Sequence, residues 1–201
     1  MNLTGLLVSF GFLIIAMSVH EFAHGWVAYK LGDMTAKISG RLTLNPLAHI
    51  DPIGTVILPL FLFIATGGQF VFGAAKPVPI NYAALRNPKR DIIWIGASGP
   101  AANFLFASVL SGISKLIAMP LTLNFIITNL IFINVILGVF NLIPIPPLDG
   151  SRVLIGLLPE RAAARYARIE PYGFLIVMLL FGLGILDIIM IPLVKIVLRL
   201  L

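Results

Sequence analysis

The run from Leu3 to Leu31 is apolar almost throughout, yet its second half carries His20-Glu21-Phe22-Ala23-His24. A spanning helix needs roughly 20 mostly apolar residues, so this run is long enough to cross a bilayer. On a helix, residues i and i+4 share a face, which lets His20 and His24 hold one zinc ion. Glu21, one position along, is placed to act on water at that ion. The bland alternative is a pair of polar residues satisfied by neighbouring helices. Three ionisable residues within five positions are a heavy burden for that reading, because intramembrane charges are expensive and functional by default.

Composition agrees with a membrane setting. The 201 residues are 59% hydrophobic and 11% charged, against about 25% charged in soluble domains. Residues 1–15 lack a basic leader and an A-x-A-like site, so they read as the start of the first span rather than a signal peptide. There are no cysteines, so a metal site must draw on His, Asp or Glu. The net charge of +6 is read as loops on a cytoplasmic face rather than as nucleic-acid binding. The pattern predicts an all-α membrane protein, a polytopic helical bundle forming a single domain over residues 1–201, multi-pass in the cell membrane.

Leu3–Leu31, Asp91–Ala118, Leu121–Ile143 and Tyr172–Val194 are the four expected full spans. Residues Arg161–Glu170 read as a short interfacial or cytosolic helix. Pro52–Phe72 has a shorter apolar core with Pro59 inside and Gly67-Gly68 after it, and is expected to be re-entrant. Ala36–Leu44 and Val71–Ile80 on either side look strand-like, suggesting a small membrane-associated β element.

Two arguments give the expected topology. If Pro52–Phe72 does not cross, all basic residues except Lys115, Lys195 and Arg199 fall on one side, which the positive-inside rule makes cytoplasmic. If it crossed, Lys76–Arg90 would be stranded opposite Lys30–Arg41. The second argument is chemical. His20 and His24 lie late in the first span, and Asp149 follows the third, so they reach one depth only if those spans run parallel.

A catalytic zinc takes three protein ligands and keeps a position for water. From the residues alone the third ligand is Asp149, His49, Asp51, Asp33 or Asp187. Asp149 follows the Pro-rich break Pro144-Ile145-Pro146-Pro147 and precedes Gly150, where the backbone can turn a side chain inward. Its ordinary reading is a helix N-cap. His49 is either a loop-capping residue or one that approaches the zinc or gates entry. Asp51 reads as a turn or cap residue, and Asp187 as an interhelical hydrogen-bonding group or one near the outer interface.

His20–His24, then Gly99-Pro100-Ala101-Ala102-Asn103, then Asn141-Leu142-Ile143-Pro144-Ile145-Pro146-Pro147-Leu148-Asp149-Gly150 resemble, in order, the three motifs of the site-2 protease family of intramembrane zinc metalloproteases. Residues 41–52 with 72–79 resemble a compact prokaryotic branch of it, expected to do without a PDZ domain or nucleotide-sensing tail. The resemblance implies His20, His24 and Asp149 as ligands of one zinc, Glu21 as general base, and three core helices with access from the cytoplasmic side. It also implies that Asn103 and Asn141 bind substrate, by holding an extended strand or donating to an oxyanion. The competing reading for either is a helix–helix hydrogen bond. The expected partners are the lipid bilayer and a membrane-protein substrate helix, not nucleic acid. The expected reaction is hydrolysis of peptide bonds in or near transmembrane segments, held on an edge strand of one of the two strand-like pieces. The alternatives are a membrane zinc-binding or transport protein, which needs no non-ligand base, and an inactive scaffold relative.

Overall fold

The computed structural model describes residues 3–68, 73 and 75–201. Among the described residues three helices are long and apolar enough to cross a membrane: α1 (Leu3–Lys30), α4 (Pro88–Leu116) and α5 (Leu121–Asn141). Between α1 and α4 lie a single turn, α2 (Thr35–Ile38), and the short apolar helix α3 (Leu58–Ala65) with the π-type turn Pro52–Ile57 before it. After α5 come α6 (Asp149–Leu157), α7 (Glu160–Ala167), α8 (Gly173–Gly182) and α9 (Ile185–Leu200).

The bundle is organised by two stripes of fourfold spacing. Phe12, Ala16, His20, His24 and Ala28 are the buried line of α1, and Asp91, Ile95, Gly99, Asn103, Ala107 and Ser111 that of α4. Residues four apart form one ridge of a helix, so the two lines can lie against each other. They do so antiparallel: His24 meets Ile95 while Ala16 meets Asn103. Small residues in the contact let the backbones approach, which is how helices associate without a hydrophobic drive between them. Helix α5 closes the trio from the other side of α4, with Asn134 on Asn103 and Val135 beside Ala107. It runs parallel to α1: Asn134 lies at the level of Ala16, and the chain beyond its C-terminal end reaches His24 with Asp149.

The stretch from Asp51 to Ala75 leaves and returns to one point. The N–H of Lys76 donates to the carbonyl of His49 at 2.9 Å, so the two ends are joined. Pro52–Ala65 is the shorter apolar element; at about 1.5 Å per residue it reaches about 21 Å, short of the roughly 30 Å hydrocarbon core. Gly67 and Gly68, at φ of 60° and 80°, end it in a conformation glycine adopts without cost. A short helical element is thus present within the expected Pro52–Phe72 stretch, whose residues 69–72 lie outside the described residues.

Two expectations are corrected. Among the described residues there is no strand, so no β element. The first strand-like piece instead begins in the helical turn Thr35–Ile38, whose start is held by Asp33, which accepts from the N–H and hydroxyl of Thr35. Gly40, at φ 68°, then turns the chain. Of the second piece, Val71, Phe72 and Ala74 lie outside the described residues, and 75–80 run without regular pairing. Pro77 and Pro79 have no N–H to give a ladder. The other correction concerns the fourth span. Tyr172–Val194 is not one helix: α8 and α9 meet at 82° around Gly184, whose φ is 70°. Both arms are apolar, so hydropathy does not register the break. The bent pair makes a fourth span only if both arms together cross.

Candidate metal centre

Three elements deliver the site. α1 supplies His20, Glu21 and His24. α4 supplies the surface behind the two imidazoles. The start of α6, after the Pro-rich break, supplies Asp149, brought back by Gly150, where a Cβ would stand 2.7 Å from the carbonyl of Ile143. His20 Nε2 is 2.8 Å and His24 Nε2 3.1 Å from Asp149 Oδ2, and the two Nε2 atoms are 3.0 Å apart. Both histidines are buried, and Asp149 is half-buried. These three residues form the one group among the described residues able to hold a metal ion. His49 is fully buried outside the group, with Nε2 on the carbonyl of Thr43 at 2.9 Å. Asp51 caps the turn at Pro52–Ile57 by accepting from the N–H of Gly54. Asp33 accepts from Thr35 and Asn81. Asp187 sits in the first turn of α9.

The hydrogen bonds behind the imidazoles fix where their protons are. His24 Nδ1 lies 2.7 Å from the carbonyl oxygen of Ile95, which can only accept, so Nδ1 carries the proton. His20 Nδ1 lies 2.6 Å from Asn103 Oδ1. That oxygen is an acceptor because the Asn103 amide nitrogen donates to the carbonyl of Ala16 at 3.1 Å and to Asn134 Oδ1 at 2.8 Å. Asn134 is oriented in turn by donating to the carbonyl of Leu130 at 2.8 Å. Two backbone carbonyls thus set the polarity of a chain that crosses three helices. In a neutral ring the second nitrogen is then a bare lone pair. Two lone pairs and a carboxylate oxygen converge with no proton to share, an arrangement that a cation satisfies. A tetrahedral zinc with ligand bonds of about 2.0–2.1 Å needs its ligand atoms about 3.3–3.4 Å apart. The distances here, 2.8 to 3.1 Å, are shorter than that by about half an ångström or less, and the fixed tautomers are those metal-bound histidines need.

Gly99 completes the fit. A Cβ there would lie 2.5 Å from His24 Nε2 and 2.6 Å from His20 Nε2, inside the ligand cluster. Gly99 and Asn103 are one helical turn apart on the face turned to α1, so the G-x-x-x-N spacing joins clearance to orientation. Asn103 has 0% exposure with its carbonyl and amide both committed. Asn141 is different. Its amide donates to Leu137 of its own helix, and its side chain lines the large cavity that also reaches His20 and Glu21. Asn134, Ile95 and Val78 are contributors the motifs do not mark. Asn134 alone has a sequence signal, a polar residue inside an apolar span. Val78 donates its backbone N–H to Glu21 Oε2 at 2.7 Å.

An apolar helical bundle with this donor set and a carboxylate beside it falls in the class of membrane metalloenzymes. Comparison with known proteins sharpens the class. The profile described as peptidase family M50 matches residues 114–183. The chain is 36% identical to the zinc metalloprotease YwhC of Bacillus subtilis over 178 residues, 84% of this chain and 77% of that protein. It is 35% identical to the zinc metalloprotease Rip2 of Mycolicibacterium smegmatis over 83% of this chain and 63% of that one. With the zinc metalloprotease MJ0392 of Methanocaldococcus jannaschii it shares 27% identity over 92% of this chain and 45% of that one. No solved structure matches. The chain belongs to peptidase family M50, the site-2 protease family, and is a zinc metalloprotease.

Proposed function

We propose that the protein is an intramembrane endopeptidase, a single domain over residues 1–201 that cuts transmembrane segments of membrane proteins. The observation that carries this reading is where the site opens. His20 and Glu21 line a cavity of about 1100 Å³ whose other walls are mostly apolar, among them Phe10 and Met17 of α1, Phe132 and Ile136 of α5, and Val177 and Met190 of α8 and α9, with Ser9, Asn141, Asp187 and Lys195 as the polar exceptions. A water-filled cleft for soluble peptides would be polar. This one suits a chain that arrives from lipid.

In this reading His20, His24 and Asp149 hold one zinc ion. Bound there, zinc supplies Lewis acidity toward the scissile carbonyl and water acidified to near neutral pH. Asn103, through Nδ1 of His20, and the Ile95 carbonyl, through Nδ1 of His24, keep both Nε2 atoms turned to the ion. Glu21 takes the proton of the attacking water and returns it to the leaving amine. Asn141, on the cavity wall, donates to the substrate backbone. A substrate helix hides its amides in i to i−4 bonds and unwinds before it is attacked. The largely apolar lining limits bulk water, and its polar groups are Glu21 and Asn141 near the metal cluster and Ser9, Asp187 and Lys195 elsewhere.

The cleaving end faces the cytoplasm. The ends of α1 and α4 that bear Lys30, Lys89 and Arg90 are joined through Ala28, Leu85 and Ile95. Lys115 meets the carbonyl of Leu201 at the other end, near Arg199. The positive-inside rule puts the richer end in the cytoplasm. Cysteines introduced at Arg86 and Arg161 are therefore labelled from the cytoplasm and one at Lys115 from outside.

The test is purified, zinc-loaded protein in proteoliposomes with a single-span substrate. Wild type yields a cut that mass spectrometry maps within or beside the span, and Glu21→Gln yields none while keeping its zinc. Cleavage of soluble peptides alone, or zinc lost on Glu21→Gln at unchanged folding, overturns the reading.

A further inference from the structure

Lys76-Pro77-Val78-Pro79 lies across the zinc motif, and its sequence leaves it one thing to offer. Proline has no N–H, and a residue that precedes proline is confined to extended backbone. Val78 stands between Pro77 and Pro79, so its N–H is the single backbone donor of the three residues. The backbone that carries it is shaped before anything binds. That N–H is the one donated to Glu21 Oε2 at 2.7 Å.

Both ends of the segment are tied. Lys76 donates its N–H to the carbonyl of His49 at 2.9 Å, and Arg41 Nη2 donates to the carbonyl of Lys76 at 2.8 Å. Beyond Pro79, the N–H of Asn81 donates to Asp33 Oδ2 at 2.7 Å. Between these anchors the Val78 side chain is buried against α1: a Cβ on Gly25, next to His24, would stand 3.1 Å from Val78 Cγ1. Arg41, His49 and Asp33 take no place in the metal cluster, yet each fixes the segment that meets the base.

We propose that Pro77-Val78-Pro79 is a positioning element for the reaction, in which the Val78 N–H clamps one oxygen of Glu21 so that the other is presented to the attacking water. A glutamate side chain rotates freely unless held, and holding a reacting group in place removes orientational entropy from the barrier. A charge-assisted bond from an amide does this without competing for the proton Glu21 must take, as a lysine or histidine partner would. The two prolines also keep neighbouring amides from offering Glu21 a second hold. Val78 is a positioning residue, acting through Glu21. The proposal rests on Glu21 being the base.

The experiment removes the one N–H. Incorporating α-hydroxyisovaleric acid at position 78 by nonsense suppression replaces it with an ester oxygen and keeps the side chain. Val78→Pro removes it as well, and Val78→Ala, which retains it, is the reference. Each full-length protein is assayed on a single-span substrate for kcat and KM, with zinc content and thermal melting measured in parallel. The ester and Val78→Pro forms are expected to show kcat about tenfold or more below Val78→Ala, with KM and zinc content within about twofold. If both keep the kcat of Val78→Ala while Glu21→Gln is inactive, the positioning role is overturned and the base reading stands. If Glu21→Gln still cleaves, the base reading itself has failed, and the clamp with it. A kcat loss that tracks lost zinc or a lower melting temperature makes the segment structural only and also overturns the proposal. Should Val78→Pro not fold, the ester form decides.

Discussion

The trio α1, α4 and α5 and the connection from Asp33 to Asn81 meet at the same active site, but they work through different atoms. In the trio and the start of α6 the functional atoms belong to side chains: two imidazoles four residues apart on α1, the Asp149 carboxylate, and two carboxamides. In the connection they belong mostly to the backbone: the N–H of Val78, the N–H and carbonyl of Lys76, and the carbonyls of His49 and Thr43. Side chains leave a mark in a sequence and backbone groups do not, since every residue has them. A metal centre can therefore be read from residue types at helical spacing, while the element that orients its base shows only as two prolines around a valine.

The largest expected effect strikes the trio at its centre. Asp149→Asn exchanges an anionic ligand for a neutral amide, and zinc affinity, measured by competition with a chelator, is expected to fall more than about 100-fold. Undiminished affinity would hand the third position to another acid or to His49 and dissolve the contrast. Gly99→Ala comes next. It changes no ligand, but its Cβ would enter the space between the two Nε2 atoms. Zinc retention is expected to drop steeply with the helix content unchanged by circular dichroism, since alanine is the better helix former. Normal retention would mean that α1 and α4 are farther apart than described here.

Asn134→Leu sharpens the comparison by asking how far the side-chain network extends. It deletes the acceptor that holds the Asn103 amide, while Ala16 still engages the other hydrogen. An outer partner of a metal-bound histidine is worth about 10–100-fold in affinity, and with one anchor left the lower figure is expected. A cobalt-substituted sample would show the altered ligand field directly. An unchanged spectrum and affinity would confine the network to α1 and α4.

The smallest effect lies in the connection. Burial pushes the Asp33 carboxyl up, but the hydrogen bonds from the hydroxyl and N–H of Thr35 and from the N–H of Asn81 outweigh it and hold the group below its ordinary 3.8. A carboxylate lowered on folding contributes stability that is complete above the unfolded value and lost as pH falls through the folded one. Thermal melting should thus decline below about pH 4 in the wild type, and decline less in Asp33→Asn, which starts less stable at neutral pH. Parallel pH curves for the two proteins would show that Asp33 does not anchor the connection.

Much of the trio is legible in the sequence. The spacing of His20 and His24 brings both rings to one face, and the Pro-rich break before Asp149 ends α5 where a third ligand is needed. The parallel relation of α1 and α5, argued from charge and ligand depth, follows from two levels of contact, Asn134 with Asn103 and Ala16, and Asp149 with His24. The excursion at Pro52–Ala65 is legible as well, because its apolar core is too short to span. The connection is less so. Alternation in Ala36–Leu44 suggests a strand, but a local hydrogen bond from Thr35 to Asp33 decides for a helical turn, as short polar side chains often do. The bend at Gly184 hides for another reason: hydropathy reports solvent preference and carries no direction.

By itself, the sequence determined that the chain is apolar helix for most of its length, and that a zinc-type donor set sits late in its first helix. Those properties are local, resting on composition and on the 3.6-residue period. Only the tertiary structure decided what Asn103 and Val78 do. Asn103, expected to bind substrate, has its oxygen against Nδ1 of His20, and its nitrogen donates to the carbonyl of Ala16 and to Oδ1 of Asn134. Val78 could have been an ordinary loop residue, but chain closure at His49 and Asp33 sets its N–H on Glu21. A hydrogen bond's direction depends on what stands at its far end, and here those partners, Ala16, Asn134 and Glu21, lie 31 to 87 residues away.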